Sequence, residues 1–167
     1  MSASAKVRSE LPALLPRLRR FARAIAKHAA DADDLVQIGV ERALTRAEQW
    51  DSERRLESWM FGIIRNAWLD EARSRSRRDA LFAAEELGEH VGVDAMRDQS
   101  IVLSVQDAMA RLPEEQRVAV ALVLVEGLSY KEAAAAMDVP IGTLTSRLAR
   151  GRDALQSLLG ETNGEAP

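Results

Sequence analysis

A chain of 167 residues with 47% hydrophobic and 29% charged side chains is globular, and its net charge of −3 makes it too acidic overall to coat nucleic acid indiscriminately. It contains no cysteine, which excludes disulfides and thiolate metal sites and suits a reducing cytoplasm. No apolar run reaches the roughly 20 residues that cross a bilayer, and MSASAKVRSELPALLPRLRRF lacks the apolar core and cleavage site of a secretory signal.

In chain order, helical periodicity dominates and no stretch alternates as a strand does, so the expected fold class is all-α. Leu14, Leu18, Phe21, Ala22 and Ile25 mark a first helix, with Pro16 tolerated in its first turn. Asp31, Asp33 and Asp34 precede LVQIGVERAL and suit a helix N-terminus, where carboxylates accept orphan N–H bonds and meet the positive end of the dipole. EQWDSERRLES reads as a loop feeding the apolar helix WMFGIIRNAWLDEAR, which runs out into SRSRR; Trp59 and Trp68 read as core. After Arg78 the composition turns acidic, and residues 79–100 read as a flexible acidic linker. A second helical block follows: Val102, Val105, Met109 and Leu112 line one helix, and Val118, Ala121, Leu122 and Val125 line the next, with Gly127 as its C-terminal cap. The expected organisation is two small helical domains, 1–78 and 101–160, joined by that linker and followed by a disordered tail, 161–167.

Within the second block, Ser129 followed three residues later by Glu132 forms a capping box. The alanines at 133–136 make a slim helix that another helix can cross closely, and DVPIG breaks the chain at Pro140 and Gly142. In GTLTSRLARGRDAL, Leu144, Leu148, Gly151 and Leu155 share one helical face, with Ser146, Ala149 and Arg150 opposite and Thr145, Arg152 and Arg147 on its flanks. Such a pattern fits either an αα-hairpin with solvated arginines or a helix-turn-helix whose outer face enters a major groove, where Arg bonds guanine O6 and N7.

ADDLVQ, ESWMFGIIRNAWLDEARSRSRR, LPEEQRVA and VPIGTLTSRLARGR, in that order and at those separations, resemble the bacterial extracytoplasmic-function (ECF) sigma factors. The stretch LPALLPRLRRFARAIAKHAADADDLVQ also resembles the general-stress-response branch of that family. The resemblance covers the chain from about Leu11 to Leu159 and implies two domains, sigma region 2 and sigma region 4, the latter with the helix-turn-helix. It implies a promoter-specificity subunit that binds core RNA polymerase, directs transcription initiation at −35 and −10 elements, and is usually partnered by an anti-sigma factor.

Residue by residue, it implies that Asp34, Gln37 and Glu41, which share a polar face, bind the β′ clamp; periodicity alone favours a solvated face there. For the −10 element it implies Asn66 at the pocket of a flipped base, with Arg65 beside it and Trp50 as an aromatic for stacking. Arg73, Arg75, Arg77 and Arg78 form a basic run that suits phosphate or a solvated helix end. For the −35 element it implies Thr145, Ser146, Ala149 and Arg150, flanked by Arg147. The chain departs from the family pattern at Ile38, where an acid is common, and at Thr145, where relatives usually carry Lys or Arg. A sigma-like mimic that sequesters an anti-sigma factor without touching DNA is the alternative, opposed by the arginine face of the last helix. No enzyme, metal or cofactor is expected: His28 and His90 stand isolated from any nucleophile or ligand motif.

Overall fold

The computed structural model describes residues 1–85 and 104–163, and its regular elements are all helices. Helix α1 spans Ala3–Ile25, with the Ser2 side chain accepting a hydrogen bond from the Ala5 N–H at 3.1 Å. It begins well before the first helix expected from the sequence, and both Pro12 and Pro16 lie inside it. Each proline costs a backbone hydrogen bond. Both sit on the exposed side, so the freed carbonyls can face water, while Val7, Leu11, Leu18, Phe21 and Ile25 hold the opposite stripe in the core. Tertiary burial overrides the local penalty.

Helix α2 (Ala29–Thr45) follows His28, whose side chain makes no cap. Asp31 alone of the three aspartates lies in its first turn, so Asp33 and Asp34 are not the caps expected of them. The helix starts early because Ala32 already belongs to the buried stripe Leu35, Val36, Gly39 and Ala43. A short 3₁₀ turn, Ala47–Gln49, leads to the loop before α3 (Leu56–Glu85). The first half of α3 buries Met60, Phe61, Ile64 and Ala67, with the Phe21 and Phe61 ring centroids 4.9 Å apart. Its second half is largely exposed, and its backbone stays helical through residues 79–85, the start of the expected linker. The remainder of that linker lies outside the described residues.

Helices α4 (Val105–Arg111), α5 (Glu114–Val120, continued by a π-helical turn over Ala121–Val125), α6 (Tyr130–Met137) and α7 (Ile141–Asn163) build the second unit. Gly127, at φ 74°, ends the π turn as expected of a cap, because the left-handed region suits glycine. Ser129 and Glu132 form the capping box of α6. Gly142 falls inside α7 rather than in the preceding break, and α7 remains helical into the expected tail as far as Asn163. Leu144 and Leu148 are buried, and Gly151 lets α7 approach α5 so closely that a Cβ would lie 2.7 Å from Val120 Cγ2.

The two units pack on each other through α3 against α6 and α1 against α4 and α5, and their buried residues form one continuous core. A Cβ on Gly62 would stand 3.2 Å from the Ala136 carbonyl oxygen. Small residues on both sides permit that approach, the close crossing expected of the alanine-rich helix.

Candidate nucleic-acid interface

The turn between α6 and α7 is set by Asp138 in the left-handed region, φ 55°, and by Pro140, whose carbonyl accepts the Leu144 N–H at 3.1 Å. With Leu144 and Leu148 buried, helical geometry turns Thr145, Ser146, Ala149 and Arg150 outward, and all four are exposed. The Thr145 hydroxyl donates back to the Ile141 carbonyl at 2.8 Å. Ser146 and Arg150 border an open groove shared with Pro113, Glu114 and Pro140. Arg147 borders the same groove but is tied down there: its Nη2 lies 3.2 Å from Glu115 Oε2, its side chain is 21% exposed, and its buried Nη1 has no hydrogen-bond partner among the described residues. Arg147 thus lies beside the exposed face of α7 with its guanidinium paired to Glu115.

On α3, Asn66 is exposed and its Oδ1 accepts from Arg65 Nη1 at 3.3 Å. Arg65 is half-buried; burial lowers its pKa, and the nearby Arg147 guanidinium pushes in the same direction. Arg73 and Arg77 are exposed further along the helix. Arg75 pairs with Asp31 Oδ1 at 2.7 Å, which holds the Asp31 carboxyl below its usual range and raises Arg75. Arg75 is nevertheless exposed, like Arg73 and Arg77. Trp50 is buried rather than free in the loop. Only 5% exposed, its indole N–H donates to the Arg54 carbonyl at 3.1 Å and Lys6 Nζ sits 5.2 Å from its ring centroid. The ring pins the loop before α3 and offers no face to a base.

Asp34, Gln37 and Glu41 line one exposed edge of α2. They border a cleft completed by Ile38, Trp68 and Arg75. Ile38 is partly buried there, which explains how an apolar residue stands where an acid is common. Trp68 is core, as expected, although its buried Nε1 has no partner among the described residues; Trp59 is only partly buried. Sequence reasoning missed the polar residues joining the two units. Arg17 and Arg20 of α1 grip Glu126, and Arg117 donates across to the Ile25 carbonyl at 2.8 Å. Nothing in their spacing marks them, since charged residues at helical intervals read as a solvated face.

Two exposed faces thus emerge, one on a helix-turn-helix and one on a long helix carrying an amide beside arginines. Comparison with known proteins gives them a common setting. The Sigma-70 region 2 family matches residues 12–78, and the Sigma-70, region 4 family matches residues 103–155. The ECF RNA polymerase sigma factor EcfG of Rhodopseudomonas palustris (strain TIE-1) is 34% identical over 95% of this chain and 88% of its own. The ECF RNA polymerase sigma factor SigM of Mycobacterium tuberculosis is 34% identical over 87% of this chain and 73% of its own. Among solved structures, the sigma factor RpoE of Bartonella quintana, in complex with the anti-sigma factor NepR, superposes with a TM-score of 0.76 at 32% identity, covering 93% of this chain and 97% of that one. No helix among the described residues is long and apolar enough to cross a membrane. With both regions matched in order and near full-length relatives on either side, the chain belongs to the ECF sigma factors, non-enzymatic initiation factors that bind core RNA polymerase and direct it to promoters.

Proposed function

We propose that Thr145, Ser146, Ala149 and Arg150 of α7 read the −35 duplex, with Arg150 supplying the guanidinium for a base edge or phosphate. Asn66 holds an unpaired base of the −10 strand, and Arg73 and Arg77 neutralise its phosphates. Asp34, Gln37 and Glu41 dock on the β′ clamp. Arg65 and Arg147 join the DNA contacts only when the two units separate, whereas Trp50 and Arg75 support the loop and the α2–α3 contact. The carrying observation is the division of α7: Leu144 and Leu148 are buried while Ser146, Ala149 and Arg150 are exposed.

The functional division is region 2 over 1–78, an acidic connection over 79–100, region 4 over 101–160 and a tail over 161–167. The protein works in the cytoplasm, where polymerase and promoter are. It belongs to the general-stress-response branch, on the resemblance of its N-terminal stretch, and answers to an anti-sigma factor, as the complex of its Bartonella relative with NepR suggests. Run-off transcription with core enzyme tests the reading. Arg150→Ala lowers initiation from promoters with a −35 element, and Asn66→Ala lowers strand opening while −35 duplex binding persists. Failure of the wild-type chain to bind core enzyme would sink it.

A further inference from the structure

We propose that Glu115 sets the strength of the −35 contact: its carboxylate holds the Arg147 guanidinium in place of a DNA phosphate and gives way to one when α7 meets the duplex. The inference rests on the proposed assignment of α7 to the −35 element and deepens it by a pair of residues within the second unit.

Both residues belong to the groove beside the recognition face. The start of α5 lines it with Glu114, Glu115 and Gln116, and α7 lines it with Ser146, Arg147 and Arg150. Three residues apart, Arg147 and Arg150 are neighbours on the helix surface, but their guanidiniums are in different states. Arg150 is exposed and in no ion pair among the described residues. Arg147 Nη2 lies 3.2 Å from Glu115 Oε2, a guanidinium–oxyanion pair of the kind a phosphate oxygen also makes.

Exposure says which member of the pair can leave. The Glu115 side chain is 62% exposed, the Arg147 side chain only 21%. The carboxylate can swing into water at little cost, because exposed ion pairs contribute little stability. Glu115 also lies in the first turn of α5 beside Glu114, where the positive end of the helix dipole compensates a carboxylate released from Arg147. The guanidinium is the fixed member. Its Nη1 is buried and has no hydrogen-bond partner among the described residues, so Glu115 leaves part of the donor fork unused.

Charge balance gives the consequence. While paired, Arg147 and Glu115 bring no net charge to the phosphate backbone. Glu114 in the groove and the exposed Asp138 in the turn before α7 add repulsion. The −35 contact is thereby weaker than the arginines of this face would make it alone, and stable placement depends on the other contacts of the polymerase. Phosphate contacts carry no sequence information, so Glu115 tunes affinity without altering which bases Ser146 and Arg150 read.

Core enzyme reconstituted with full-length Glu115→Gln, Arg147→Ala and the double variant tests this, with anisotropy of a labelled promoter duplex followed across a salt series. Glu115→Gln is expected to tighten binding about threefold at low salt, equally for a correct and a scrambled −35 sequence. It should also steepen the log–log salt dependence by up to about 0.9, because one more uncompensated cation meets the phosphates. Arg147→Ala should cost about threefold more in the Glu115→Gln background than in the wild-type chain, since only there is the guanidinium free beforehand. Equal costs in the two backgrounds, weaker binding by Glu115→Gln, or an effect confined to one −35 sequence would overturn the inference; the last would make Glu115 a reader of a base. Thermal melts check folding, and if Arg147→Ala unfolds the chain, Arg147→Gln takes its place in the cycle. Arg150→Ala separates the two levels of the argument. If it leaves duplex binding unchanged, the −35 assignment itself falls; if it weakens binding while the cycle is additive, only the exchange at Arg147 falls.

Discussion

Arg117 shows how much one side chain can carry. It is 4% exposed and donates to the carbonyls of Met109, Ala110, Leu112 and Ile25, so one planar fork satisfies acceptors at the end of α4, in the following turn and at the end of α1. Burial lowers its pKa, the cost of holding a cation among carbonyl dipoles without a directly bonded carboxylate. Arg117→Ala therefore strands several buried acceptors and is expected to destabilise the fold by about 3 kcal/mol or more. Arg117→Lys should recover little, because an ammonium cannot reproduce the fork. Urea midpoints of the three proteins check this. Its position within LPEEQRVA was legible as part of a family motif, but its burial was not: an arginine after two glutamates and a glutamine has the local pattern of a solvated face. Trp50 misled in the opposite sense, since an aromatic in a polar loop is equally suited to stacking on a base or to pinning the loop.

Acid sensitivity belongs to the same scale. Burial works to raise the Glu132 carboxyl, but the Ser129 backbone and hydroxyl, the Ser58 hydroxyl and Arg55 together hold it below its ordinary 4.5. Asp31 lies below its ordinary 3.8 chiefly through the Arg75 hydrogen bond. Both folded-state values are depressed, so the folded chain binds fewer protons than the unfolded one within each window. The stability these groups supply is complete above pH 4.5 and is lost as pH falls below that toward and through the folded values. Urea unfolding from pH 7 to 3 should show stability falling at the acid end, with a smaller fall in Asp31→Asn.

At the scale of elements, α7 was the most legible, because its apolar spacing settles its own rotation. Leu144, Leu148 and Gly151 face inward as the wheel requires, and the outer positions follow. Its hidden constraint is Gly151, where a Cβ would sit 2.7 Å from Val120 Cγ2 and 3.2 Å from the Gln116 carbonyl oxygen. Gly151→Ala gains about 1 kcal/mol of helix propensity but forces α7 off α5 against backbone, and overpacking of that kind costs about 1–3 kcal/mol. The net expectation is a lower melting temperature together with weaker −35 binding, because the recognition face shifts as α7 does; an unchanged melt would show that α5 yields freely. Helix α1 was less legible. Proline penalties are local and visible in sequence, whereas the burial of Val7 and Leu11 that outweighs them depends on elements far along the chain.

For the whole molecule, sequence composition marked two helical units but not their contact. The packing of α3 on α6 depends on Gly62 meeting the Ala136 backbone, and the clasp on Glu126 joins α1 to a residue more than a hundred positions away. Neither has a periodic signature. A consequence lies in how the chain unfolds. Two domains on a free tether would melt independently, but here one core runs through both, and desolvated charges would lose their partners if one unit unfolded alone. Differential scanning calorimetry of the wild-type chain should therefore show one transition with calorimetric and van't Hoff enthalpies equal. Gly62→Leu should split it in two, because the wedge uncouples the units while leaving each unit's own packing in place. Raising salt should not mimic the wedge, since the Glu126 side chain is fully buried and such pairs are screened far less than exposed ones. Two transitions in the wild-type chain would mean that the contact between units is too weak to couple their stabilities.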